Sequence, residues 1–108
     1  MSTLLDRFCR YVRIDTMADE KAATYPSSPG QLELGQLLVG ELRALGLRDA
    51  AADKHGIVMT TIPSTVKAKA PTIAFIAHLD TSPETTGRGA KPIVHRDYDG
   101  NDIVLPGD

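Results

Sequence analysis

The stretch Phe75-Ile76-Ala77-His78-Leu79-Asp80-Thr81-Ser82-Pro83 carries the residues best suited to chemistry. An apolar run leads directly into a histidine, and an aspartate follows two residues on. A neutral imidazole is a good zinc ligand, and a zinc-bound histidine usually gives its other ring nitrogen to a carboxylate or a carbonyl. In extended backbone, residues i and i+2 point to the same side. His78 and Asp80 could therefore face one pocket, His78 as metal ligand and Asp80 as the carboxylate that orients it. A bare His-x-Asp triplet also fits a surface or satisfied core histidine. Context brings the metal reading level with that plainer one: an apolar run of strand length stands before the triplet and a Thr-Ser-Pro turn after it.

The other reactive side chains read more plainly. His55 precedes Gly56 in a turn between strand candidates and is expected in a solvent-exposed loop. His95 alternates with Val94 in a hairpin arm. Neither has a carboxylate at a telling spacing. Asp97, Asp99 and Asp102 lack the glutamate that closes a calcium loop, so they read as turn residues. Cys9 lies beside an apolar stripe and is expected to be a small buried residue, not a reactive thiol.

The elements that must position His78 follow from periodicity. Thr72 to Ala77 is a short continuous apolar run, the pattern of a strand buried on both faces. Sites in open α/β sheets form just past the carboxyl ends of such strands, which is where His78 falls. Met1 to Arg13 predicts a helix, with Leu4, Phe8 and Val12 in one stripe and Thr3 with Asp6 as a capping pair. Asp15 to Pro29 is a polar loop. A second helix follows, with Ser28 as N-cap, Pro29 as first residue and Gln31 as capping-box partner. Leu34, Leu38, Leu42 and Leu45 line one face, and Gly46 closes the helix. Leu47 to Asp53 is a weak strand candidate and Gly56 to Ile62 a better one. Ile93 to Arg96 and Asp102 to Leu105 flank Asp97-Tyr98-Asp99-Gly100-Asn101, which predicts a hairpin. The fold class is α/β: two helices, then strands of a mixed sheet and a hairpin.

The totals exclude several classes. The chain has 108 residues, 42% hydrophobic and 24% charged, ordinary for a globular chain of one domain or part of one. Net charge is −2 and the signs are interspersed, with none of the Lys/Arg clustering that draws nucleic acid or anionic membranes. One cysteine rules out an internal disulfide, and the first residues lack the apolar core of a signal peptide. A cytoplasmic location is expected. Pro106-Gly107-Asp108 ends the chain without a closing element, which reads as a truncation.

Ala77-His78-Leu79-Asp80-Thr81-Ser82-Pro83 closely resembles the first metal-binding motif of the M20 family of zinc aminopeptidases and deacylases. Further tracts agree in order and spacing with the family's tripeptide-cleaving branch: Leu5-Asp6-Arg7-Phe8, Tyr11-Val12, Ile14-Asp15-Thr16, Pro26-Ser27-Ser28-Pro29-Gly30-Gln31, Leu42 to Leu47, and Tyr98 to Leu105. The resemblance spans nearly the whole chain. It implies that residues 1–108 are the amino-terminal portion of an M20-type catalytic domain, with the remainder and a smaller dimerisation domain absent. It implies His78 as a zinc ligand and Asp80 as the acid that fixes its imidazole. It also implies a second zinc ion and a glutamate base contributed from beyond Asp108. The expected activity is release of the amino-terminal residue from tripeptides. Expected partners are a short peptide and a second subunit of the full-length protein, with no nucleic acid and no membrane. The fragment alone is expected to be inactive, to bind zinc weakly or not at all, and to self-associate.

Two other readings fit the same residues. One is a non-catalytic binding or interaction module with this fold. The other keeps the chemistry and changes the bond, to deacylation of N-acyl amino acids.

Overall fold

Thr3 opens the first helix, α1 (Leu4–Tyr11), in the computed structural model, which describes residues 3–106. The Thr3 hydroxyl accepts from the Asp6 N–H at 3.1 Å, and the Thr3 N–H donates to Asp6 Oδ2 at 2.9 Å. This is the capping box expected from the sequence, and its hydrogen bonds hold the Asp6 carboxyl below the usual range. Met1 and Ser2, which the pattern also assigned to this helix, lie outside the described residues, as do Gly107 and Asp108.

The apolar stripe of α1 does not face the rest of the chain. Leu4 is 85% exposed and Phe8 59% exposed. Cys9 is half-buried. The contact between helices is made by the polar face of α1 instead. Arg10 Nη2 donates to Oε1 of Glu41, the Tyr11 hydroxyl donates to Oε2, and Arg7 Nε lies 3.7 Å from Oε2. One half-buried carboxylate thus gathers two guanidinium groups and a phenol. Burial, and then the hydrogen bond to Glu41, push the Tyr11 hydroxyl above its ordinary pKa.

The second helix, α2 (Pro29–Ala44), begins as expected, with Ser28 in extended backbone and Pro29 at the first position. Gln31 does not close a capping box. Its amide turns toward Thr16 and Ser27, because the loop before the helix folds back against the first turn. The buried face is Gln31, Leu34, Gly35 and Val39, so it is rotated from the leucine stripe; Leu38 and Leu42 are half-buried and Leu45 is exposed. The helix ends as Gly46 predicts. Gly46 has φ 95°, its N–H donates to the Arg43 carbonyl, and the Leu47 N–H donates to the Leu42 carbonyl. That pair of bonds is a Schellman motif.

Two short strands complete the packed region. β1 (Ala51–Ala52) and β2 (Val58–Met59) pair antiparallel, Ala51 with Met59 and Ala52 with Val58. They fall inside the two strand candidates. Asp53 shapes their connection: its Oδ1 accepts from the N–H groups of His55 at 2.8 Å and Ile57 at 2.9 Å. Asp49 accepts from Thr60 Oγ1 at 2.6 Å and from the Thr61 N–H at 2.9 Å, and Arg43 Nε donates to the Ala50 carbonyl at 3.0 Å. The hairpin lies against α2 at Gly35, where an added Cβ would sit 3.4 Å from Val58 Cγ2.

From Thr61 onward the chain is extended and mostly exposed. The predicted strand Thr72–Ala77 forms no ladder: Ile73 is 75% exposed, Phe75 98% and Ile76 94%. A strand is a pairing, and this apolar run has no neighbouring strand among the described residues. The predicted hairpin arms do not pair either, although the turn between them forms locally. Asp97 and Gly100 take positive φ, the Tyr98 hydroxyl donates to the Asn101 carbonyl at 2.7 Å, and Asp99 accepts from Asn101. The radius of gyration is 17.5 Å, against about 13 Å for a compact domain of this length. The architecture is two helices and a two-stranded antiparallel sheet, consistent with α/β class; the larger mixed sheet is not formed by the described residues.

Candidate functional site

His78 and Asp80 sit on one turn of extended chain. His78 Nδ1 lies 2.8 Å from the main-chain carbonyl of Asp80 and 3.4 Å from its Oδ1. The closer partner is thus the backbone oxygen of Asp80, with the carboxylate beside it. A carbonyl oxygen only accepts, so the contact requires the proton on Nδ1. In the neutral form of the ring the lone pair is then on Nε2, the atom left to bind a metal. The imidazole is 83% exposed and the Asp80 side chain 51%, so the described residues leave the ring open to solvent.

The turn is anchored by the residue that follows it. The Thr81 N–H donates to the Thr16 carbonyl at 3.2 Å, and the Thr81 carbonyl accepts from the Ala18 N–H at 2.9 Å. These two bonds form an isolated parallel bridge between Met17 and Thr81. The polar loop between the helices therefore supplies the strand-like partner that the apolar run lacks. Leu79 points the other way and reaches α2, its Cδ1 3.8 Å from where a Cβ on Gly35 would lie.

The loop is itself pinned at both sides. Asp15 Oδ1 accepts from the Met17 N–H at 3.3 Å, and Asp15 Oδ2 lies 3.8 Å from Arg88 Nε. On the other side the Asp15 carbonyl presses on α2 at Gly30, where a Cβ would fall 1.8 Å from that oxygen. Only glycine allows this approach. By sequence, residues 15–29 form one polar loop in which nothing marks the part played by Thr16, Met17 and Ala18. The bridge joins residues far apart in sequence, and no local pattern signals it.

The remaining candidates fall elsewhere. His55 is half-buried, its ring 5.3 Å from that of Tyr25, beside a shallow groove lined by Tyr25, Pro26, Leu32 and Lys54. His95 is exposed. Among the described residues, no three His, Cys, Asp or Glu side chains converge on a position that would hold a metal ion. The donors present fit the contribution of one ligand, His78, and fall short of the four a closed zinc site needs. No helix among the described residues is long and apolar enough to cross a membrane.

No protein-family model matches the chain. Curated relatives do. Peptidase T of Bacillus subtilis (strain 168) is 49% identical over 102 residues, 94% of this chain and 25% of its own length. Peptidase T of Brevibacillus brevis is 48% identical and that of Listeria monocytogenes serotype 4a 46% identical, each with the same coverage of 94% and 25%. The chain thus spans about a quarter of the length of the curated relatives it matches. Over nearly all of its own length, this chain is similar to an amino-terminal fragment of peptidase T.

Proposed function

We propose that this chain forms the amino-terminal part of a zinc-dependent aminopeptidase of the M20 type, which releases the amino-terminal residue from tripeptides. The observation that carries the reading is the similarity to peptidase T at 49% identity across 94% of the chain. The geometry of the His78 turn supports it, because an imidazole with Nδ1 committed to Asp80 and Nε2 outward is in the form that ligates a metal. With a zinc ion held by His78 and by ligands from the rest of the longer protein, the site would gain a Lewis acid able to polarise a water molecule and the scissile carbonyl. His78 contributes one ligand. Asp80 orients the imidazole through its carbonyl and carboxylate oxygens. The other ligands and the general base belong, in this reading, to the part of the longer protein outside this chain. The fragment on its own then lacks both a complete metal site and activity. A single cysteine, which can close no internal disulfide, fits a reducing cytoplasm as its location.

The experiment is an assay of the full-length protein on an unblocked tripeptide, the same tripeptide N-acetylated, and an N-acyl amino acid. Release of the amino-terminal residue from the unblocked peptide alone is expected. Turnover of the N-acyl amino acid in its place would give the deacylase reading. No turnover of any of the three, with no zinc retained, would give the interaction module.

A further inference from the structure

The buried polar groups lead from α2 to the His78 turn. Gln31 and Thr16 are the two buried polar residues of the packed region, 8% and 4% exposed. Gln31 Nε2 donates to the Thr16 carbonyl at 3.3 Å and to Ser27 Oγ at 3.0 Å. The Thr16 carbonyl also accepts the Thr81 N–H at 3.2 Å. One carbonyl with two lone pairs thus takes one donor from the helix and one from the site segment. The orientation of the amide is settled by chemistry, since only the NH₂ end of Gln31 can face a carbonyl oxygen.

We propose that Gln31 is a positioning residue for the His78–Asp80 turn, acting through the Thr16 carbonyl. The proposal rests on the reading of His78 as a ligand. Thr81 immediately follows Asp80, and only the two bonds of the Met17–Thr81 bridge fix it to the loop. Gly30 brings the loop close enough for this, with the Asp15 carbonyl against the first turn of α2. Gln31 then sets the direction of the Thr16 carbonyl, and a buried carbonyl held by two donors cannot swing. The Thr81 amide follows that carbonyl. The Asp80 carbonyl belongs to the same planar peptide group as the Thr81 N–H, and is thereby held where His78 Nδ1 reaches it at 2.8 Å. A helix residue distant from the imidazole so selects the tautomer that leaves Nε2 free.

The test is nuclear magnetic resonance on this chain, metal-free, at pH ~8. Ring-nitrogen shifts report the His78 tautomer. Amide exchange of Thr81, taken relative to Val39 in α2, reports the bridge. In the native chain His78 is expected in the Nδ1–H form. Gln31→Met keeps the length and removes the donor. It should shift His78 to a mixture dominated by Nε2–H and speed relative Thr81 exchange roughly five- to tenfold, as for one lost hydrogen bond. Leu34→Ala destabilises the same helix without touching Thr16, and should leave both readouts in place. If Gln31→Met does not fold, Gln31→Glu decides the matter, because it keeps the shape and, with its carboxylate ionised, has no donor for the carbonyl. A native tautomer and native Thr81 protection in the donor-less variant would overturn the proposal, as would equal changes in Leu34→Ala. Both readouts are independent of metal. Failure of the ligand reading shows separately, as unchanged zinc content in full-length His78→Ala.

Discussion

Glu41 receives Tyr11: the phenol of α1 donates to Oε2 of a carboxylate on α2, and Arg10 donates to the other oxygen of the same group. This cluster, not an apolar seam, is how the two helices meet. Glu41→Ala should release α1. The cost is expected at about 1–3 kcal/mol, because Tyr11 and Arg10 lose their partner while part-buried. Urea unfolding followed by helical circular dichroism checks it. Glu41→Gln, which keeps an acceptor for Tyr11 and loses the charge for Arg10, should fall between the two.

The same cluster gives an alkaline limit. The Tyr11 hydroxyl is raised above 10.0 by burial and by its bond to Glu41. A raised folded pKa means that the stabilisation is complete below the unfolded value and is lost as pH rises through the folded one. Helix content should therefore fall above pH ~10, and Tyr11→Phe should remove that step while lowering stability at neutral pH.

The acid limit belongs to the hairpin. Asp49 is lowered chiefly by the Thr60 hydroxyl, and Asp53 chiefly by the Ile57 N–H. Lowered folded pKa values contribute stability above the unfolded value, lost as pH falls through the folded one. The amide shifts of Ala51, Ala52, Val58 and Met59 should hold to pH ~4 and change below it. Asp53→Asn should flatten that change; an identical acid profile in the variant would remove the carboxylate from the account.

Two glycines of α2 should respond in opposite senses. An added Cβ at Gly30 meets the Asp15 carbonyl at 1.8 Å, a backbone atom with little room to move. Gly30→Ala is expected to cost 1–3 kcal/mol or more by displacing the loop, roughly. A Cβ at Gly40 meets nothing within 4 Å, and Gly40→Ala should stabilise by about 0.5–1 kcal/mol. Thermal unfolding of the two variants beside the native chain decides it.

What was legible in the sequence was local. Thr3 with Asp6 and Gly46 act on backbone a few residues away, and Pro29 fixes its own backbone at the helix start, so their spacing alone carries the signal; Ser28 takes the N-cap position, but its hydroxyl makes no capping bond. The strand candidates around Ala51 and Val58 held for the same reason, since the turn at Asp53 to Gly56 joins them directly. The illegible part was pairing across distance. The run Thr72–Ala77 has the composition of a buried strand, yet composition supplies no partner, and Phe75 stands in solvent. Thr81 paired instead with a polar loop that has no period to read. Nor does periodicity mark Glu41, whose partners lie on the charged side of α1. Residue type and spacing single out His78 and Asp80 as candidates; that the main-chain oxygen of Asp80 lies nearer the imidazole than its carboxylate depends on a backbone conformation that spacing does not specify.

The decisive prediction concerns zinc and turnover in the full-length protein. His78→Ala removes a ligand and should abolish most turnover and lower zinc content. Asp80→Ala keeps the Asp80 carbonyl that His78 Nδ1 contacts at 2.8 Å and removes only the carboxylate at 3.4 Å. Loss of such an outer partner typically costs about 10–100-fold in metal affinity or activity. With the backbone contact surviving, the Asp80 variant should fall toward the lower end of that range. His55→Ala and His95→Ala should stay near the native value, because neither ring approaches the turn. The measurement is release of the amino-terminal residue from an unblocked tripeptide, with zinc determined on each purified variant and folding checked in parallel. Near-native turnover with full zinc in both His78→Ala and Asp80→Ala would remove the chemical basis of the peptidase reading, whatever the similarity of the chain.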